Sequence, residues 1–178
     1  MVREISAGGV VLRKRGGIWW IAAIELPAAQ PIPEAGQPVP EVPQVTTPKK
    51  ARQNKPKSKP VIALPKGLVD PGEKPLETAL REVHEETGVI ATLITKLADI
   101  KYVYVRSWGD GERVFKIVSF YLLRYESGRI NNIRSEMRIE VARARWLRLE
   151  EAPSLLAYRG EKQMARKALE YVTAHAEV

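Results

Sequence analysis

Hydrophobic and polar positions change rhythm several times along the chain, and each rhythm predicts an element. Leu76, Ala79, Leu80 and Val83 recur three and four residues apart, the spacing that lays one buried stripe along a helix. Pro75 suits the first turn of that helix and Gly88 its C-terminal cap. Met164, Ala165, Ala168, Leu169 and Val172 repeat the pattern and predict a terminal helix over Glu161 to Ala174. Elsewhere the apolar residues fall in short β-type stretches. Ser6 to Leu12 and Ile18 to Leu26, joined by the turn-like Lys14-Arg15-Gly16-Gly17, predict a hairpin. Leu93 to Arg106 and Glu112 to Arg124 predict a longer one, turning over residues 107–111. Val114 to Leu123 becomes apolar on both faces near its end, as in a strand covered from two sides. Val61 to Leu64 is a further short apolar run, and Ala144 to Leu149 predicts a final strand. Trp19 and Trp20 fit sheet packing better than a base-stacking platform. Strands, a central helix, more strands and a terminal helix make an α/β fold, a mixed β-sheet between helices, the natural architecture.

Between Pro27 and Pro60 the rhythm disappears. Nine prolines and no apolar period exclude both helix and central strand, so 27–60 is read as an insertion or loop. It holds six Lys or Arg against two Glu, half of the chain's net charge of +8. A solvated excursion is one reading and a basic flap that attracts a polyanion the other; the segment lacks the interleaved aromatics that single-strand binding uses. At 178 residues the chain suits a single domain spanning 1–178 with this embellishment. No apolar run approaches the roughly 18 residues that span a bilayer, and the charged start MVREISAGG is unlike a signal peptide. The expectation is a cytoplasmic protein that does not engage a membrane. The absence of cysteine excludes disulfides and thiolate metal sites. The positive balance points to an anionic partner, a phosphate-rich small molecule before nucleic acid.

Candidate chemistry concentrates in GLVDPGEKPLETALREVHEETGV, Gly67 to Val89. Helical geometry brings Glu82, Glu85 and Glu86 to one side of the predicted helix. Like charges at that spacing repel, so stability gives no reason for the cluster; a solvated acidic face is the alternative to a cation site. Arg81 projects about 100° from Glu82 and is not expected to neutralise all three. A hard divalent cation is, and Mg²⁺ in particular is commonly shared between carboxylates and substrate phosphates.

The wider spacing sharpens that choice. Gly67, Glu73, Arg81, Glu82, Glu85, Glu86 and Gly88, with Val83 and Val89 at the apolar positions, resemble the Nudix hydrolases with no departure from the family signature. Seven fixed identities at typical residue usage arise by chance about once in 10⁸ to 10⁹ start points. The resemblance implies the family's α/β/α sandwich and hydrolysis of a nucleoside diphosphate derivative by water attack on phosphorus, assisted by Mg²⁺ or Mn²⁺. It implies that Glu82, Glu85 and Glu86 hold the metal and orient or deprotonate the water, without saying which is the base. It makes Glu73 and Arg81 a supporting pair and gives Gly67 and Gly88 to backbone turns. Some members add a glutamate six residues before a strand tryptophan; Glu140 stands six before Trp146, with Glu136 as second choice. Lys66, in Leu-Pro-Lys-Gly, resembles a phosphate-facing lysine of dinucleoside polyphosphate and diphosphoinositol polyphosphate hydrolases. Tyr102, Tyr104, Trp108 and Tyr158 are candidates to stack a base, Tyr104 and Tyr158 foremost, and His84 is expected to be solvated or salt-bridged. A dinucleoside polyphosphate such as diadenosine tetraphosphate heads the substrate list. Oxidised nucleoside triphosphates of the 8-oxo-dGTP type and diphosphoinositol polyphosphates follow, and a non-catalytic nucleotide- or RNA-binding module is the alternative class.

Overall fold

The computed structural model describes residues 1–27, 59–106 and 110–176. Its elements, in chain order, are β1 (Val2–Arg15), β2 (Ile18–Leu26), β3 (Val61–Ala63), β4 (Lys66–Leu68), α1 (Pro75–Thr87), β5 (Val89–Val105), β6 (Arg113–Gly128), a 3₁₀ turn (Ser135–Ile139), β7 (Arg143–Arg148), α2 (Ala152–Leu155) and α3 (Arg159–Ala174). The strands form one mixed sheet in the order β3-β2-β1-β6-β5, with β4 added to β1 and β7 to β2. Among the described strands, only the β1–β6 pairing is parallel, running from Val2↔Val114 to Leu12↔Arg124.

β1 is the axis of the sheet, and its residues show why. Alternation along a strand sends successive side chains to opposite faces. Val10 and Leu12 join Ile21, Phe120, Leu122, Met164, Ala165 and Ala168 on the face covered by α3. Val11 joins Ala22, Val83, Val89 and Leu123 on the face covered by α1. The two-sided burial expected of Val114 to Leu123 is therefore present in β6. Gly9 lets α1 come close: a Cβ there would lie 2.5 Å from Leu123 Cδ1 and 3.1 Å from Val83 Cγ2.

The first hairpin closes on Gly16 and Gly17, both with positive φ, as a tight right-twisted turn requires. The α1 boundaries match the sequence reading, and Gly88 ends the helix at φ 82. Strand lengths differ from it. β5 starts directly at Val89 rather than near Leu93, because register shifts after Ile90, Leu93 and Lys96 break the two-residue period along its first half. The three-residue β4, the 3₁₀ turn and the one-turn α2 were not expected; each is too short to show a period. Trp108 and nearly all of the Pro/Lys-rich segment lie outside the described residues. Among the described residues, no helix is long and apolar enough to cross a membrane.

Candidate active site

The acidic cluster is built where β4, the following loop and α1 meet. β4 pairs with Ser6–Gly8 of β1, which holds Gly67 against the first half of the sheet. The Glu82 carboxyl lies directly over Gly67, where an added Cβ would overlap it. Glu86 points into the same junction, and its Oε2 accepts a hydrogen bond from the Lys66 backbone N–H at 3.1 Å. Both glutamates are buried, at 8% and 5% exposure, while Glu85 lies on the open side of the helix. Three carboxylates are thus graded from solvent to core along one helix flank.

Arg81 ties the loop to the helix. Its Nε and Nη2 donate to the two oxygens of Glu73 at 2.9 and 3.0 Å, and Nη2 also donates to the Leu68 carbonyl at 3.2 Å. Nη1 donates to Glu82 Oε1 at 2.9 Å and Glu85 Oε2 at 3.1 Å. The supporting role expected of Glu73 and Arg81 is consistent with this arrangement. The expected divergence of Arg81 from Glu82 needs correcting: its long stem bends back along the helix, so it reaches two of the three carboxylates. Glu86 is not among its contacts. The guanidinium, helped by the Thr78 hydroxyl, holds the Glu73 carboxyl down at about 2.

Glu86 behaves oppositely. Burial, reinforced by the charge of Glu82 and opposed by Lys66, pushes it from 4.5 up to about 8. Burial also raises Glu82, against the pull of Arg81. Glu140 adds a like charge to both, so the loop before β7 brings a fourth carboxylate within electrostatic reach. That loop is knotted to the end of α1. Asn131, at φ 69, donates its N–H to the Thr87 carbonyl at 2.8 Å. Arg138 donates to Asn131 Oδ1 at 2.8 Å and to the Asn131 carbonyl at 2.9 Å, and the Ala144 N–H donates to the same Oδ1 at 3.0 Å. Glu136 sits in the intervening 3₁₀ turn.

Among the described residues, no three acidic or imidazole side chains already converge on one point. Arg81 engages Glu82 and Glu85 while Glu86 is turned to Lys66. The donor set nevertheless fits a hard divalent ion: carboxylate oxygens only, two of them buried beside one another at a cost that a cation would offset.

The other side of β4 is cationic and aromatic. The Lys66 side chain shares a face with Phe120, since a Cβ on Gly8 would meet both. Its ammonium lies 3.4 Å from Glu161 Oε1 and 5.4 Å from the centre of the Tyr158 ring. Burial works against charge on Lys66, but Glu161 and Glu86 outweigh it and hold the ammonium protonated. Burial lowers Lys116, and the positive charge of Lys66 lowers it further, so the two ammonium groups share one region. Tyr104 is placed differently from Tyr158. Its hydroxyl donates to Glu4 Oε2 at 2.9 Å, within a network where Arg106 reaches Glu4 Oε1 at 2.9 Å and Lys116 stands 3.8 Å away. The structure therefore brings Lys66 and Tyr158 together and places Tyr104, with Tyr102 beside it, in the neighbouring Glu4 network. His84 is exposed, as expected.

Sequence reasoning missed Lys116, Glu4 and Glu161. A lone lysine inside the apolar run Val114 to Phe120 was a readable signal for the first. Glu161 gave none, since an acid in the first turn of a helix is ordinary.

Residues 44–169 match the family model of the NUDIX domain, and the chain belongs to that family. It is similar to a mouse bis(5'-nucleosyl)-tetraphosphatase [asymmetrical], 33% identical over 112 residues, 61% of this chain and 69% of that one. It is also similar to a Mycobacterium tuberculosis protein named as mutator protein MutT4, 40% identical over 110 residues. That match covers 62% of this chain and 42% of the relative, so the chain spans less than half of that protein's length. Among solved structures, a C. elegans Ap4A hydrolase in a binary complex superposes with TM-score 0.61 at 20% identity, over 96% of this chain and 98% of the other. The NUDIX domain of Shewanella oneidensis NrtR with ADP ribose gives 0.59 at 15%, over 97% and 90%. These two establish the fold.

Proposed function

We propose that the chain is a divalent-metal-dependent pyrophosphohydrolase of nucleoside diphosphate derivatives, acting on a dinucleoside polyphosphate such as diadenosine tetraphosphate. The observation that carries the reading is the pair Glu82 and Glu86, buried side by side against Gly67 and the Lys66 N–H. Stability alone gives no reason to bury two like charges; a bound Mg²⁺ or Mn²⁺ does. Such an ion supplies charge neutralisation at the phosphates and acidifies water.

The chain's own groups divide the remaining work. Glu82, Glu85 and Glu86 would hold the ion, with Glu140 as a fourth oxygen donor, and one of these carboxylates would take the proton of the attacking water. The water oxygen bonds to phosphorus, the bridging P–O bond breaks, and the leaving phosphate departs with the electron pair. Glu73 and Arg81 keep loop and helix in register, which holds the backbone under the carboxylates in place while Arg81 releases one of them to the ion. Lys66 and Lys116 face the phosphate chain, and Tyr158 offers an aromatic surface beside it. The Leu-Pro-Lys-Gly context and the tetraphosphatase relative support the substrate class. The mutator-named relative favours a second reading, hydrolysis of an oxidised nucleoside triphosphate.

The deciding experiment is incubation with diadenosine tetraphosphate, 8-oxo-dGTP and a diphosphoinositol polyphosphate, each with Mg²⁺ or Mn²⁺, with products separated by chromatography. Cleavage of the first at the highest kcat/KM is expected. Glu85→Gln with Glu86→Gln should reduce turnover by orders of magnitude while the fold is kept. Unchanged turnover in that double variant removes the metal assignment.

A further inference from the structure

The chain passes from β3 to β4 between two buried carboxylates. The Lys66 N–H donates to Glu86 on α1 at 3.1 Å, and two residues earlier the Leu64 N–H donates to Glu161 on α3 at 2.6 Å. The second contact is not needed to form α3. Acids in a helix's first turn favour the dipole while exposed, whereas Glu161 is turned inward to 2% exposure. A carboxylate so deep is retained only if its partners compensate for lost water. Its partners include the Leu64 backbone N–H and the Lys66 ammonium, 3.4 Å from the same Oε1. Tyr158, which precedes α3, lies under that ammonium. Two features of the chain's last helical region, some ninety residues beyond the lysine, thus converge on one side chain.

We propose that Glu161 is a positioning residue: from α3 it fixes the Lys66 ammonium over the Tyr158 ring so that the charge is in place for a substrate phosphate. The inference rests on the reading of Lys66 as phosphate-facing. Glu161 has no contact with substrate in this role. It acts by restricting where the long lysine stem points, which spares substrate binding the cost of ordering it. Without the carboxylate charge, Lys66 is left with Glu86 as its acidic neighbour and Lys116 as a repelling one.

Glu161→Gln removes the charge alone, because the amide oxygen can still accept from the Leu64 N–H. KM and kcat for diadenosine tetraphosphate with Mg²⁺ are measured in wild type, Glu161→Gln, Lys66→Gln and the double variant. Glu161→Gln is expected to raise KM about tenfold, the scale of one charge-assisted hydrogen bond, with kcat within about twofold. The double variant should be no worse than Lys66→Gln. Multiplying effects in the double variant, or an unchanged KM in Glu161→Gln, would overturn the proposal. Glu161→Asp keeps the charge and should recover most of the KM; a value as high as the glutamine variant's counts against the role, and this variant carries the test should the glutamine form not fold. Calorimetric binding of inorganic tripolyphosphate to the same proteins gives a readout without turnover. If wild type cleaves no nucleotide, the proposed activity falls, and the tripolyphosphate cycle still decides Glu161.

Discussion

Glu86→Gln is expected to make the metal-free protein more stable while removing its chemistry. In the folded state Glu86 titrates at about 8 against an ordinary 4.5, chiefly through burial and then the charge of Glu82. A carboxyl raised on folding keeps its proton where the unfolded chain has released it. Its contribution is therefore fully present below pH 4.5, declines through the window from 4.5 to about 8, and is gone above it. At about 1.4 kcal/mol per pH unit, that window bounds the loss at about 5 kcal/mol. Relaxation around a buried charge reduces such terms severalfold, leaving about 1–3 kcal/mol at pH 8. Glutamine still accepts from the Lys66 N–H, so the hydrogen bond is kept. Thermal melts in EDTA from pH 5 to 9 give the comparison. The variant should melt higher at pH 8, by about 2–4 °C per kcal/mol for a chain of this size, and the gap should close toward pH 5. Excess Mn²⁺ should reverse the order, because the ion stabilises the wild type by mass action. A variant less stable than wild type at pH 8 without metal, or parallel pH curves, would refute the electrostatic reasoning.

Two further outcomes follow from specific contacts and a third from the charge of residues 30–58. Gly67→Ala inserts a methyl into the space of the Glu82 carboxyl, so kcat should fall at least about tenfold with a stability loss of about 1–3 kcal/mol, checked by kinetics and melts on one preparation. Arg138→Ala unties Asn131 and the loop carrying Glu140; Mn²⁺ affinity by calorimetry should drop severalfold, as for Glu140→Gln, with no further loss in the double variant. Deleting residues 30–58 should flatten the salt dependence of substrate KM if the basic segment attracts polyanions; an unchanged dependence shows a spacer.

The parts of this architecture that were legible in the sequence are those with a sustained period or a fixed spacing. Leu76, Ala79, Leu80 and Val83 gave α1, and the seven signature positions gave the acidic flank. What stayed hidden has local physical reasons. β5 lost its first residues to register shifts that break alternation. β4 has three residues, too few for a period, yet it carries the glycine under Glu82 and the lysine between the two helices. The reach of Arg81 was misjudged because a wheel projection places the Cβ, and four further bonds let a guanidinium bend back toward its neighbour. Glu161 could not be read at all, since its importance lies in a contact 97 residues away with Leu64.

The central claim is that the carboxylates at the Gly67–α1 junction bind the ion that activates the phosphoanhydride. Anomalous scattering from Mn²⁺ in crystals grown with a non-hydrolysable diadenosine tetraphosphate analogue tests it most directly. The account predicts a manganese peak bounded by oxygens of Glu82, Glu85 and Glu86, with Arg81 withdrawn from at least one of them and a substrate phosphate oxygen in the same coordination sphere. A peak elsewhere, with Glu86 still turned to the Lys66 N–H and Glu85 in bulk solvent, would contradict it.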